Sequence, residues 1–351
     1  MKSCIVTLSA GLAFFAIVAL SPFGPVPAEP AQIYQAAVPA IDPAAMFGIG
    51  LGGLIVNAAA IRNLYISFSA AFRDGLGQAA PQWELIAARI PASTKEQDYG
   101  WLGKIPRVRE WIGDRVVQNI MSHGYSIKEK PFELTVGVDR DDIETDNLGQ
   151  YSMLFTELGR SIAAWPDELI WPFLVAGFSN LCYDGQPFFD TDHPVLDEDG
   201  NTISVANTDG GSGTPWFLVD DTRVIKPVIW QVRKDLSNLI RKDREEDENV
   251  FNRKEFIYGV DGRANVGYGF WQFAWGSKQT LNAANYAAAR AALSGMKGDY
   301  GRPLGIMPKK LIVPSSLEAA ALEIVNAERD AAGATNVWKG TATSVVVPWL
   351  S

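Results

Sequence analysis

The chain has 351 residues, 47% of them hydrophobic and 20% charged, so it is long enough for two or three globular domains and is not disordered throughout. Its formal net charge of -9 disfavours a protein that grips nucleic-acid phosphates, because that binding depends on Lys and Arg displacing counterions. Two cysteines, Cys4 and Cys182, cannot form a disulfide framework, and two histidines, His123 and His193, leave His-rich metal sites close to excluded.

The N-terminus carries an apolar run that is typical of a secretory signal. Lys2 precedes the run at residues 4–20, and Val26 and Ala28 are spaced like a signal-peptidase site. Three interpretations stay open: a true signal peptide, a spurious extension from an upstream start codon, and a removable assembly segment. A second apolar patch at residues 46–56 is too short and too rich in glycine for a membrane span.

The next predicted element is a helix with Asn57 as its N-cap and with its end at Asp74 and Gly75. Its apolar residues recur at helical spacing: Ile61, Leu64, Tyr65, Phe68 and Phe72. The mixture of Gly, Pro and apolar residues over 75–101 then predicts an arm that crosses a neighbouring molecule instead of folding on its own chain. An irregular surface connection is the alternative.

Residues 99–149 carry large apolar side chains without a catalytic constellation, which favours contact with other protein. Glycines and prolines interrupt the first part, so an extended loop or short hairpin is predicted there. Its apolar residues include Trp101, Leu102, Ile105, Val108, Trp111 and Ile112. Alternation with polar residues then predicts a strand with one buried face, formed by Phe132, Leu134, Val136 and Val138.

A long helix is predicted after this strand, with Asp146 or Asn147 as its cap. Pro166 is expected to end or restart it, and a further helical segment is expected to stop at Gly177. Residues 180–215 are polar and rich in turn formers, which predicts a long loop or a small hairpin. The helix face is formed by Leu148, Tyr151, Leu154, Phe155, Leu158 and Ile162.

The remainder of the chain mixes strands and helices. Residues 216–239 predict a strand, a turn and another strand, and the mixed charges of 241–248 predict a solvated loop or helix face. An alanine-rich helix is predicted at 282–293, and a strand, a Ser315 or Ser316 cap and a helix follow. The chain closes on a strand, SVVVPWL.

The aromatic run between these elements could form a stacking platform for single-stranded nucleic acid, but such platforms also need a basic groove. Nearby cations are few, so a strand packed in a core or subunit contact is favoured. The run contains Tyr268, Phe270, Trp271, Phe273 and Trp275.

One acidic segment offers hard oxygen ligands with one imidazole: Asp190, Asp192, His193, Asp197, Glu198 and Asp199. Its spacing does not match a helix-loop-helix calcium site, and zinc would need more donors than Cys182 and His193. A turn held by Asx-type hydrogen bonds is favoured, and a weak divalent-cation site is the alternative. Nucleophile-elbow, phosphate-loop and zinc-protease motifs are absent from the sequence, so no catalytic residue, metal or cofactor is predicted.

Several motifs occur in an order that resembles the major head (capsid) subunit of Mu-type tailed phages and Mu-like prophages. The resemblance covers residues 54–351, and its motifs are specific together although none would suffice alone. They are YGWLGK from Tyr99, REWIGDR from Arg109, GVDRDDIETDNLG from Gly137, CYDGQPFFDTDHPV from Cys182, NVFNRKEFIYGVD from Asn249, NVGYGFWQ from Asn265, GSKQTLNAANYAAARAAL from Gly276 and the closing VVVPWL.

The resemblance implies an α+β chain with the Hong Kong 97-type major capsid fold. It implies an N-terminal arm at 54–98, an extended loop region at 99–139, a spine helix and peripheral domain at 140–215, and an axial domain with closing peripheral strands at 216–351. Residues 1–53 depart from the family pattern as an atypical apolar extension.

The implied function is that of a structural protein, not an enzyme, that assembles with itself into hexamers and pentamers of an icosahedral shell. The shell would enclose double-stranded DNA without sequence-specific contacts, with portal and scaffold or protease proteins as further partners and no membrane. The protein is expected in the virion capsid, after assembly in the host cytoplasm. Two alternatives stay open: a secreted metal-binding protein or hydrolase using Asp190–Asp199, and a non-viral protein cage of the same fold.

A chain with long loops must bury them on neighbours, and contacts that close into rings generate shells. We therefore expect a set of apolar loop residues to become buried on assembly. These subunit-contact residues are Trp101, Leu102, Ile105, Trp111 and Ile112.

Overall fold

The computed structural model describes residues 57–102, 124–144, 148–330 and 332–350. The chain divides into Met1–Leu51, which lies outside these residues, and Gly52–Ser351, to which the description below applies. The predictions for residues 1–53 and for a cap at Asp146 or Asn147 lie outside the described residues. Within them, no helix combines the length and the apolar character needed to cross a membrane.

Six helices and sixteen strands lie in the described residues. The helices are α1 (Ala58–Gln78), α2 (Arg140–Glu144), α3 (Leu148–Val175), α4 (Glu248–Arg253), α5 (Ala283–Ser294) and α6 (Glu318–Val325). The first eight strands are β1 (Ala87–Pro91), β2 (Glu96–Asp98), β3 (Ser126–Lys128), β4 (Lys130–Asp139), β5 (His193–Leu196), β6 (Thr202–Val205), β7 (Thr208–Gly211) and β8 (Trp216–Val219). The others are β9 (Val228–Lys234), β10 (Ile240–Lys242), β11 (Glu255–Tyr268), β12 (Ala274–Lys278), β13 (Lys297–Gly298), β14 (Arg302–Pro303), β15 (Lys310–Val313) and β16 (Thr343–Val346).

Helix α1 begins as predicted, because the Asn57 side chain accepts a hydrogen bond from the backbone N–H of Ala60 at 2.9 Å. Its predicted end at Gly75 is wrong, since the helix continues to Gln78. Gly75 is buried against α3, where an added Cβ would lie 1.9 Å from the carbonyl oxygen of Thr156. The glycine permits close packing of two helices instead of ending one of them.

Helix α3 runs without interruption through Pro166, so the predicted break is also wrong. A proline inside a helix removes one backbone hydrogen bond. Packing on both sides offsets this loss, because Ile162 and Ile170 are buried. Leu154 departs from the predicted buried face, since it is 56% exposed while the neighbouring Phe155 is 1% exposed.

The first sheet has the order β1-β9-β11-β10, with β4 also paired to β11. Strand β1 pairs in parallel with β9, from Ala87 opposite Val228 to Pro91 opposite Val232. Residues 75–101 were predicted to cross a neighbour, but the part that forms β1 folds onto the chain's own sheet. The ladder gives its backbone groups partners within the same chain.

The predicted strand at Phe132–Val138 is confirmed by β4, which pairs with β11 along its whole length and buries one side partly. The helix pair α1 and α3 packs over this region, and the Phe68 ring stacks on Phe155 with centroids 4.3 Å apart.

The second sheet has the order β16-β15-β8-β12-β7 and lies within the larger hydrophobic core. All four residues of β8 are buried. The predicted core position of the aromatic run is confirmed, because its five aromatic side chains are each no more than 6% exposed. The run is not a single strand, since a 3-10 turn at Trp271–Phe273 separates the end of β11 from β12. The predicted strands at 216–239, the small hairpin within 180–215 and the closing strand are also present, the hairpin as β5 paired with β6.

Three further predictions concern helix caps and a charged segment. Helix α5 is present as predicted, with the Asn282 side chain accepting from the N–H of Asn285. A serine cap on α6 is wrong, because a 3-10 turn at Ser315–Leu317 precedes the helix and no side chain caps it. The 241–248 block is mostly exposed as predicted, except that Asp243 is 2% exposed and lies 3.3 Å from the Tyr258 hydroxyl.

Candidate functional site

The candidate site is the base of the loop between β2 and β3. These strands pair antiparallel, from Glu96 opposite Lys128 to Asp98 opposite Ser126, so they bring the two ends of residues 99–125 together. Residues 103–123 lie outside the described residues, and so do the predicted contact residues Ile105, Trp111 and Ile112.

Gln231 of β9 joins both ends of this loop to the first sheet. Its side-chain carbonyl accepts a hydrogen bond from the Tyr99 hydroxyl at 2.8 Å, and its side-chain N–H donates to the carbonyl of Ile127 at 3.2 Å. Gln231 is completely buried and Tyr99 is 2% exposed. Because water cannot replace buried hydrogen bonds, this link fixes the positions of Tyr99 and Ile127 relative to the first sheet.

Tyr125 makes a second link to the sheet. Its hydroxyl accepts a hydrogen bond from the backbone N–H of Tyr268 at 2.7 Å, and its carbonyl accepts from the N–H of Tyr99 at 2.8 Å. Gly267 allows this close approach, since a Cβ there would lie 2.1 Å from the Ile127 side chain. Two tyrosines, one glutamine and one glycine thus hold the loop base.

Burial raises the pKa of both Tyr99 and Tyr125 to about 12. Phenols in the unfolded chain titrate near 10, so above that pH the unfolded state loses protons that the folded state keeps. We predict that the stability present below pH 10 is lost progressively as the pH rises towards 12. Urea unfolding at several pH values measures this, and Tyr99→Phe and Tyr125→Phe should each flatten the decline; an unchanged decline in both variants would contradict the assignment.

The two described contact residues differ. Leu102 is fully buried in the core of its own subunit, so assembly cannot bury it further, and the expectation for this residue is corrected. Its N–H donates to the carbonyl of Tyr99, which turns the chain inward at this point. Trp101 is partly exposed, and its ring lies 6.1 Å from those of Tyr99 and Phe270. Trp101 therefore presents an aromatic surface beside the anchored base.

The acidic segment at 190–199 does not converge on one point. Asp197 accepts hydrogen bonds from the N–H groups of Asp199 and Asn201, which is the predicted Asx turn, and these bonds lower the pKa of its carboxyl. His193 points elsewhere, into the core, where it lies beside Cys182 and Asp184.

Sequence reasoning missed Gln231 and Asp184. The signal for Gln231 was one polar residue inside an otherwise apolar strand start, Val-Ile-Trp-Gln-Val. Asp184 follows Cys182 at a spacing of two, which carries no specific signal by itself.

A model of the family described as Mu-like prophage major head subunit gpT matches residues 61–350. The chain belongs to this family. The chain, called the head subunit from here on, is 42% identical over 306 residues to the major capsid protein of Escherichia phage Mu. The match covers 85% of this chain and 100% of the relative. It is 44% identical over 275 residues to the Mu-like prophage FluMu major head subunit of Haemophilus influenzae, with 76% and 89% covered.

Solved capsids resemble the head subunit in structure. A chain of the bacteriophage JBD30 procapsid matches with a TM-score of 0.76 at 43% identity, covering 84% of the head subunit and 100% of that chain. A chain of the JBD30 capsid matches with a TM-score of 0.65 at 35% identity, covering 85% and 100%. The predicted α+β capsid fold of the Hong Kong 97 type is confirmed.

The predicted function is also confirmed: the head subunit is a major capsid protein of a Mu-like phage. These relatives give no support to a secreted metal-binding protein, a hydrolase or a non-viral cage.

Proposed function

We propose that the head subunit assembles through its 99–125 loop into hexamers and pentamers of an icosahedral shell around double-stranded DNA. The observation that carries this proposal is the anchored loop base with Trp101 partly exposed beside it. A loop held at both ends by buried hydrogen bonds loses less conformational freedom when it docks, which favours binding to a neighbour.

A second apolar surface supports the same proposal. Met153 and Leu154 on α3 are 68% and 56% exposed, although the helix buries Phe155 next to them. Large apolar side chains on adjacent positions of a long helix suit contact with another subunit. The proposed assignment of 140–215 to the spine helix and peripheral domain places this surface on the spine.

The charge of the chain fits a container for DNA. With a net charge of -9, the wall of the shell would repel phosphates on average and hold the polymer without sequence-specific contacts. Portal and scaffold or protease partners, and assembly in the host cytoplasm before residence in the virion, belong to the same proposal. The region boundaries at 54–98, 99–139 and 216–351 remain predictions from the resemblance.

Trp101→Asp tests the proposal. We expect a folded subunit that no longer forms particles, because a charge replaces the apolar surface that docks on the neighbour. Circular dichroism and analytical ultracentrifugation measure folding and size, and electron microscopy detects shells. Trp101→Phe, which keeps an aromatic ring, is the matched control and should assemble. Normal shells from Trp101→Asp would exclude the proposed contact.

A further inference from the structure

Three side chains with metal-binding donors lie together outside the loop base. The Cys182 thiol donates to one carboxylate oxygen of Asp184 at 3.0 Å, and Nδ1 of His193 lies 2.7 Å from the other oxygen. One donor atom from each residue lies within 4.8 Å of the other two. Sulfur, nitrogen and oxygen donors thus converge from two separate segments of the chain.

The surroundings bury this cluster within the larger hydrophobic core. His193 is fully buried, the Asp184 side chain is 8% exposed and Cys182 is 6% exposed. The His193 ring stacks on Trp271 with centroids 3.9 Å apart and planes 8° apart. Its second ring nitrogen, Nε2, is buried and has no hydrogen-bond partner among the described residues.

The backbone supports the same arrangement. The N–H of Cys182 donates to the carbonyl of Gln186, and the N–H of Gly185 donates to the carbonyl of Cys182. This tight turn places Asp184 next to the thiol, while His193 approaches from the first position of β5. The backbone therefore holds Cys182, Asp184 and His193 close enough together to contact one bound ion.

We propose that Cys182, Asp184 and His193 bind one Zn²⁺ ion per subunit. The sulfur of Cys182, Nδ1 of His193 and one oxygen of Asp184 supply three ligands, and a water molecule would complete the tetrahedral set that zinc prefers. On binding, the thiol proton passes to solvent, the imidazole binds through Nδ1 as a neutral ring with its proton on Nε2, and metal-ligand bonds replace the two hydrogen bonds to Asp184. Zinc is favoured over Ca²⁺ or Mg²⁺ because a thiolate and an imidazole belong to the set, whereas those ions take oxygen ligands.

The ion would tie the turn at 182–187 to the hairpin of β5 and β6, directly over Trp271 of the larger core. Its effect would be on the stability of the folded subunit, because a ligand that binds the folded state alone shifts the unfolding equilibrium. The proposal does not depend on how the subunits contact one another.

The Cys4→Ser variant provides the test, because Cys182 is then the sole thiol in the full chain. After exchange into Co²⁺, we expect one equivalent of cobalt per subunit with a thiolate-to-cobalt charge-transfer band. Zn²⁺ should raise the melting temperature, whereas Mg²⁺ at the same concentration should not. Asp190→Asn, which alters a nearby carboxylate outside the cluster, should retain the band and the shift.

Cys182→Ser and His193→Gln are each expected to remove the band and the shift in melting temperature. If either variant fails to fold, the cobalt spectrum of Cys4→Ser still decides whether Cys182 is a ligand. Absence of the charge-transfer band together with an unchanged melting temperature would overturn the proposal and leave a cluster joined by hydrogen bonds alone.

Discussion

Gly159→Ala is expected to lower the free energy of unfolding of the head subunit by about 3 kcal/mol, although alanine is the better helix former. A Cβ at this position of α3 would lie 2.1 Å from the carbonyl oxygen of Phe72 and 2.9 Å from the backbone nitrogen of Leu76. Both neighbours are backbone atoms of α1, so no side chain can turn aside. The two helices must separate, which loosens the contact of Phe68 with Phe155.

Gly77→Ala is the matched control, because it makes the same substitution on the exposed surface of α1, where no atom of the described residues lies within 4 Å of the added Cβ. It should raise the free energy of unfolding by about 0.5–1 kcal/mol through helix propensity and a less flexible unfolded chain. Urea unfolding of the isolated subunits measures both. Equal effects of the two substitutions would show that the helix crossing tolerates a methyl group.

The close crossing of α1 and α3 also predicts that two alanine substitutions there have non-additive effects on the free energy of unfolding. Gly75 faces Gly159, since the Cβ built at Gly159 lies 3.1 Å from the Cα of Gly75. Once one alanine has separated the helices, the second meets less resistance. Gly75→Ala combined with Gly159→Ala should therefore cost less than the sum of the two single substitutions.

Helices α1 and α3 and strands β1 and β4 show where the sequence predicts the fold and where it does not. The periodicity of α1 and the alternation of β4 are local patterns, and both predicted elements are present. Gly75 and Pro166 are local signals to stop a helix, but packing between α1 and α3 overrides the first and burial on both sides of α3 overrides the second. Strand β1 was missed because its partner β9 lies about 140 residues further along the chain.

The candidate site, like the fold, could be predicted only in part from the sequence. Apolar character marked Trp101 and Leu102 together, but it cannot tell a residue that fills its own core from one that faces a neighbour. Leu102 proved to be the first kind. Gln231 bonds to Tyr99 and Ile127, which are distant in sequence, so its position at the loop base became visible only in the fold. Asp184 lies only nine residues before His193, but the turn that brings the two side chains together has no specific sequence signal.

Gln231→Leu is expected to have the second large effect, on both stability and assembly. The substitution keeps the approximate size of the side chain but leaves the Tyr99 hydroxyl buried without its partner and removes the side-chain hydrogen bond to the Ile127 carbonyl. An unpaired buried hydroxyl costs about 1–3 kcal/mol, so we expect a loss of that size in the free energy of unfolding. With its base released, the loop should also fail to dock, and electron microscopy should show few or no shells.

Asn265→Leu is the matched control, because its side-chain N–H also donates to a carbonyl of β3, that of Lys128, at 2.6 Å but at the exposed edge of the strand. Water can replace that bond, so a loss below about 1 kcal/mol and normal shells are expected. Adding Tyr99→Phe to Gln231→Leu removes the orphaned hydroxyl and should recover part of the stability. Recovery of stability without recovery of shells would separate the role of Gln231 in stability from its role in assembly. The repaired core would still lack the bond that holds Ile127 at the second end of the loop.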